Sequence, residues 1–126
     1  MKNVQDFTDL KVWQSAHTLK LNIYHIISHL PYNEEKNLSL QIRKCAVSVT
    51  ANIAEGFGRH HKRDTLQFLR ISRGSLYELK DNILSCRDLK FISQEQALSI
   101  LHQIHNTFKL LNGYIRYFKN LNSNYS

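Results

Sequence analysis

The sequence predicts an all-α fold, an up-down-up-down antiparallel four-helix bundle, on three observations. Only four glycines and one proline punctuate 126 residues, too few turn signals for a β fold. Apolar residues recur at alternating steps of three and four along four separate stretches, the period of helices with one buried face. The connections between those stretches are short, so consecutive helices must run antiparallel. The whole span 1–126 is expected to form a single domain with one core. A hydrophobic fraction of 42% with 21% charged residues belongs to a globular chain and not to a disordered one.

The first helix is expected over about 9–30, with Val12, Ala16, Leu19, Ile23, Ile26 and Leu30 facing inward. Thr8 or Asp9 supplies its N-cap, and Pro31, which lacks an amide hydrogen, stops it. The second, about 34–56, turns Leu38, Ile42, Ala46, Val49 and Ile53 inward. Its middle, Cys45 to Ala51, is β-branched enough to imitate a strand, but the flanking helical period decides for helix. Small side chains there let a neighbouring helix approach closely. Gly56 and Gly58 read as its C-terminal stop. The third, about 62–90, buries Leu69, Ser72, Leu76, Leu79, Ile83 and Cys86. The fourth, about 93–121, opens on a capping box of Ser93 and Gln96. Its seam is Ala97, Leu101, Ile104, Phe108, Leu111, Ile115 and Phe118, and Asn122–Ser126 are expected to fray.

Trp13, Tyr24, Ile27, Leu98, Leu110, Tyr114, Tyr117 and Leu121 lie off these seams. One bundle cannot bury them all, so they either thicken the core or form a homo-oligomer interface, and the interface is the favoured reading. Cys45 and Cys86 stand at apolar positions and read as buried, reduced thiols. No apolar stretch approaches bilayer length and the start lacks an apolar signal region, so no membrane partner and a cytoplasmic location are expected.

Charge carries the functional reading. On the third helix Arg70, Arg73, Lys80 and Arg87, with Tyr77 among them, recur at steps of three, four, three and seven and form one stripe. No acidic residue stands three or four positions from any of the four, which predicts that none is paired within its helix. Residues 41–73 hold Arg43, Lys44, Arg59, Lys62, Arg63, Arg70 and Arg73 against only Glu55 and Asp64, a local +5 of the net +7. Such a surface asks for a polyanion, and nucleic acid, RNA or DNA, is the obvious one. The turn from Arg59 to Arg63 adds the amides of a helix N-terminus as a phosphate contact. The plainer alternative is a solvated face whose cations pair with Glu34, Glu35 or Glu55. Tyr77, Tyr114 and Tyr117 have the chemistry to stack on unpaired bases, although packing within the protein is the commoner role.

No cofactor, metal or catalytic residue is assigned. His25 with His29, and His102 with His105, are each half of a zinc site, but neither pair has a carboxylate or cysteine nearby in sequence. There is no phosphate-cradling glycine loop, no nucleophile motif and no carboxylate pair at useful spacing. No arginine is followed by histidine four to six residues later, as in some helical RNA-cleaving domains.

Three stretches, in order, resemble the four-helix-bundle proteins encoded in 23S ribosomal RNA intervening sequences of bacteria. They are Asp9 to Gln14 with Ala16-His17, then Gln41 to Val49 with Ala51 to Arg59, then Phe68 to Ile71 with Gly74 to Leu79. Trp13, Asn52, Glu55 and Gly56 belong to these family-like stretches. That family is similar to the accessory protein of diversity-generating retroelements, a basic homopentamer that binds nucleic acid and a reverse transcriptase. The resemblance thus implies a ring-shaped homo-oligomer, a pentamer, with a nucleic-acid partner. Two positions depart from the family pattern. Thr50 stands where proline is usual, implying a weaker kink, and His61 stands where a serine-type cap is usual.

Asn52 and Glu55 have two readings, a ligand or partner contact and, preferred because polar groups in a small-residue helix need partners, a structural lock of the second helix onto Arg43, Arg70 or a neighbouring subunit. The expected function is a non-enzymatic, oligomeric nucleic-acid-binding accessory protein of low sequence specificity. The phosphate contacts would be Arg43, Lys44, Arg59, Lys62, Arg63, Arg70, Arg73, Lys80 and Arg87. The alternatives are an assembly module whose basic face docks an acidic protein partner and, behind it, a cryptic nuclease.

Overall fold

The computed structural model describes residues 3–121, which leaves the expected fraying of Asn122–Ser126 outside the described residues. Four α-helices carry the fold: α1 (Lys11–Ile27), α2 (Leu38–Phe57), α3 (Lys62–Asp88) and α4 (Gln94–Lys119). Two short 3-10 turns, Phe7–Asp9 and Tyr32–Glu34, precede α1 and α2. Among the described residues each helix packs on its two neighbours in cyclic order, and diagonal pairs make no close approach. Side-chain bonds between neighbours fix the antiparallel sense. Ser15 and Thr107 share a hydrogen bond of 2.7 Å while Asn22 bonds Gln103 at 2.8 Å, so the partner number falls as the first rises.

The core is the set of inward positions that the helical period selects: Leu19, Ile23, Ile42, Val49, Ile53, Leu69, Leu76, Leu79, Ile83, Ile104 and Leu111 are all essentially inaccessible. Ile27 and Tyr114, expected outside the core, are buried within it. Leu101 and Phe108, expected inside, are only half-buried; Ile100 and Thr107 fill the fourth seam beside them. Cys45 and Cys86 are buried and unbridged.

The closest helix pair is α2 on α3, and small residues are the reason. Ser72 donates to the Val49 carbonyl at 2.7 Å and Thr65 to the Gly56 carbonyl at 2.9 Å, so hydroxyls reach straight to the facing backbone. A Cβ on Gly56 would sit 3.3 Å from both Phe68 Cβ and the Thr65 carbonyl oxygen. Gly56 therefore serves close approach and not helix termination. No described glycine has a positive φ, and the α2 C-cap Gly58 is right-handed (φ −77°), so the expected glycine stop gives way to direct bonds from Gly58 N to the Ala54 and Glu55 carbonyls.

Helix ends differ most from the sequence expectation. α1 starts at Lys11 because the Asp9 carboxylate turns backwards and accepts from the amides of Gln5 and Asp6 at 3.0 and 3.1 Å. Thr8 donates to the Asp6 carboxylate at 2.7 Å, which holds that carboxyl below its ordinary value. Leu10 is left as an N-cap without a capping side chain. α1 ends at Ile27, not Leu30, in a 3-10-like turn where His29 N bonds the Ile26 carbonyl; residues before a proline disfavour the helical conformation. α2 begins at Leu38 after the Tyr32–Glu34 turn, which Pro31 opens as N-cap. The α4 capping box is as expected, with Gln96 N to Ser93 Oγ at 3.0 Å and Ser93 N to Gln96 Oε1 at 2.9 Å.

Candidate nucleic-acid interface

The basic stripe of α3 lies along its seam with α4. Arg73 donates to the Asn112 side-chain oxygen at 3.0 Å and the Tyr77 ring rests on Phe108 at 4.4 Å, and these two contacts set the register of the pair. At one end of the seam Lys62 Nζ donates to the carbonyls of Lys119 and Leu121 at 3.3 and 3.0 Å. That ammonium neutralises the negative end of the α4 dipole and satisfies carbonyls with no helical partner. By the same register the α4 turns that hold Arg116 and Lys119 run opposite the α3 turns that hold Arg70 and Arg63, while the Arg116 guanidinium itself lies 3.8 Å from where a Cβ on Gly113 would sit. Arg63, Arg70, Lys80, Arg116 and Lys119 are exposed, and their side chains make no ion pair or hydrogen bond among the described residues.

Arg116 and Lys119 are absent from the set expected from the sequence. Their signal was the lack of any acidic residue after Glu95, which leaves Lys109, Arg116 and Lys119 uncompensated in their own helix. Only the packing of α4 on α3 adds them to the stripe.

The other expected cations divide. Arg43 pairs with Glu35 at 2.9 Å, and Arg59 pairs with Glu55 at 3.0 Å while lying over the Phe68 ring at 4.6 Å. Arg87 pairs with Asp88 at 2.9 Å, against the expectation that no stripe residue pairs within its helix: an adjacent carboxylate reached it, not one a turn away. Lys44 is exposed on the outer side of α2, which packs on the opposite flank of α3, away from the α4 seam. The nine residues therefore do not share one surface. Five exposed cations without an ion pair or hydrogen bond among the described residues, Arg63, Arg70, Lys80, Arg116 and Lys119, belong to the paired helices α3 and α4; Lys109, also on α4, and Lys11, Lys36, Lys44 and Lys90 elsewhere are equally free.

Among the described residues, the contacts of the family-like residues are to their own chain. Asn52 donates to the Ser48 carbonyl at 2.8 Å and to Ser48 Oγ at 3.0 Å, and Ser48 shares a 2.7 Å hydrogen bond with Ser75 of α3. Asn52 thus ties α2 to α3, but through serines and not through Arg43 or Arg70. Glu55 reaches only Arg59, one turn on. Trp13 stacks on His17 at 4.5 Å and takes the Phe7 edge at 5.3 Å, pinning the N-terminal turn to α1. Thr50, in place of the family's usual proline, is buried, donates to the Val47 carbonyl at 3.1 Å and accepts from Lys20 of α1 at 3.3 Å.

Other chemistry is sparse. His25 and His29 pack edge to face at 5.4 Å, and among the described residues no group of three or more His, Cys, Asp or Glu is placed to hold a metal ion. Burial, with the Glu78 carboxylate beside it, pushes the Cys45 thiol up to about 12, and burial pushes Cys86 to about 11. Both are inert as nucleophiles at neutral pH. Among the described residues no helix is long and apolar enough to cross a membrane.

A family model described as 23S rRNA-intervening sequence protein matches residues 8–113. Among solved structures, the chain is similar to a protein of unknown function from the S23 ribosomal protein family of Bacteroides thetaiotaomicron. That chain is 25% identical, superposes with a TM-score of 0.76, and the match covers 82% of this chain and 97% of that one. No curated protein matches.

Proposed function

The chain belongs to the 23S rRNA-intervening sequence protein family, and on that footing we propose that it is a non-enzymatic, cytoplasmic nucleic-acid-binding accessory protein that grips phosphates through the α3–α4 seam. The observation that carries this reading is the row of exposed, unpaired cations Arg63, Arg70, Lys80, Arg116 and Lys119, contributed by two helices. Cations without partners in the protein bind phosphates without first breaking an internal pair, and contacts to phosphate carry no sequence information. Binding is therefore salt-dependent and tolerant of sequence.

The working assembly in this proposal is a ring-shaped homo-oligomer, a pentamer. What supports it is the resemblance of the sequence to the family likened to the retroelement accessory protein, together with large apolar side chains open to solvent. Leu98 is 66% and Leu21 55% exposed, with Tyr24, Leu110 and Tyr117 also uncovered. Repeating the basic seam around a ring would raise avidity for a long polyanion without any new contact.

The test is binding to labelled RNA and DNA across a salt series, on protein sized by light scattering. Arg73 is engaged by Asn112, so the informative reversal pairs Arg70→Glu with Arg116→Glu. The folded double variant is expected to bind every sequence more weakly, with a log–log salt slope shallower by about two. Unchanged affinity sinks the proposal. A flat salt response, with a stable complex to an acidic protein, would make the seam a protein-docking face.

A further inference from the structure

We propose that the seam takes single-stranded nucleic acid, with an unpaired base stacked on the ring of Tyr77. This rests on the phosphate-binding reading above and names its substrate form. Tyr77 lies in the middle of the cationic row, one helical turn after Arg73 and one before Lys80. Phe108 of α4 props the ring at a centroid distance of 4.4 Å and a tilt of 49°, yet the residue is 59% exposed and its hydroxyl has no partner among the described residues. A tyrosine serving only the core would be covered by it. Tyr114, the contrasting case, is buried beside Phe118.

The distances suit a strand laid along the helix. Arg73 stands about 6 Å before Tyr77 along the axis and Lys80 about 4.5 Å after it, with Arg70 a further turn back. Phosphates on Arg70 and Lys80, with Arg73 held by Asn112 between them, leave a base over the ring, supported from behind by Phe108. Duplex nucleic acid does not fit this arrangement. Its base faces are covered by their neighbours and only base edges reach the grooves. The nearest amide oxygen suited to reading an edge, that of Asn112, is already taken by Arg73. An open aromatic face flanked by cations is the stacking platform of sequence-tolerant single-strand binders.

The experiment compares a mixed-sequence single strand with the matching duplex on wild type, Tyr77→Leu and Tyr77→Phe, each confirmed folded. The wild type is expected to prefer the single strand, the Leu variant to lose roughly tenfold in single-strand affinity, and the Phe variant to keep the preference. In parallel, a single strand carrying 5-iodouridine is photo-crosslinked to the wild-type protein and the adduct mapped by mass spectrometry, with Tyr77 as the expected site. This arm decides the matter if the Leu variant does not fold. Equal, salt-sensitive binding of both forms, undiminished single-strand affinity in the Leu variant, or crosslinks that avoid Tyr77 overturn the stacking proposal and leave phosphate binding standing. A wild type that binds neither form overturns both.

Discussion

Lys90 holds a left-handed backbone (φ 64°) that glycine adopts at no steric cost and other side chains resist. It does so because α3 ends in a tight reversal, with Phe91 N on the Cys86 carbonyl at 2.9 Å and Lys90 N on the Arg87 carbonyl at 3.0 Å. Lys90→Gly is expected to stabilise the fold by about 0.5–1 kcal/mol in urea unfolding, since it relieves that strain at an exposed site. A loss of stability would mean that the lysine side chain matters more than its backbone. The sequence offered no sign of this, because the chain's four glycines lie elsewhere. Asn52 teaches a related lesson. That it needed partners was legible from its type and setting; that the partners were Ser48 and, through it, Ser75 depended on which residues α3 presents across the crossing.

At the scale of helices, apolar periodicity located all four elements, while their ends followed local hydrogen bonding. The start of α4 was legible because the two halves of a capping box lie three residues apart in sequence and need nothing else. Ser93→Ala should cost about 1 kcal/mol, read from thermal or urea unfolding. No change would show that solvent caps this helix equally well. The start of α1 was misplaced because Asp9 spends its carboxylate on the turn before it, leaving Leu10 at the cap. Two acceptable caps in a row, Thr8 and Asp9, gave no sequence-level reason to expect neither. Gly56 was misread in the same way: a glycine near a helix end suggests a stop, but here it clears space for Thr65 and Phe68.

Across the whole molecule, burial in the core protects both thiols. Folded Cys45 and Cys86 keep their protons up to about 12 and about 11, whereas an unperturbed thiol releases its proton near 9.0. Above pH 9 the unfolded chain therefore binds fewer protons than the folded one, so stability should fall as pH rises from about 9 towards 12. Alkylation at pH 8 should be slow in the native protein and fast in denaturant; rapid native alkylation would place the thiols outside the core. The distribution of charge is also a property of the whole. By itself the sequence determined the fold class, the inward faces and the existence of a basic stripe on α3, because each depends on periodicity within one helix. Only the tertiary structure decided which cations remain free and which surface they share. It tied Arg73 to Asn112 and Lys62 to the end of α4, so that the helix carrying Arg116 and Lys119 runs beside the one carrying Arg63 and Arg70. The physical reason is that the Arg59–Glu55 and Arg87–Asp88 pairs join neighbours in sequence, whereas the Arg73–Asn112 bond and the placing of α4 beside the stripe depend on the register between helices, which a one-dimensional pattern does not contain.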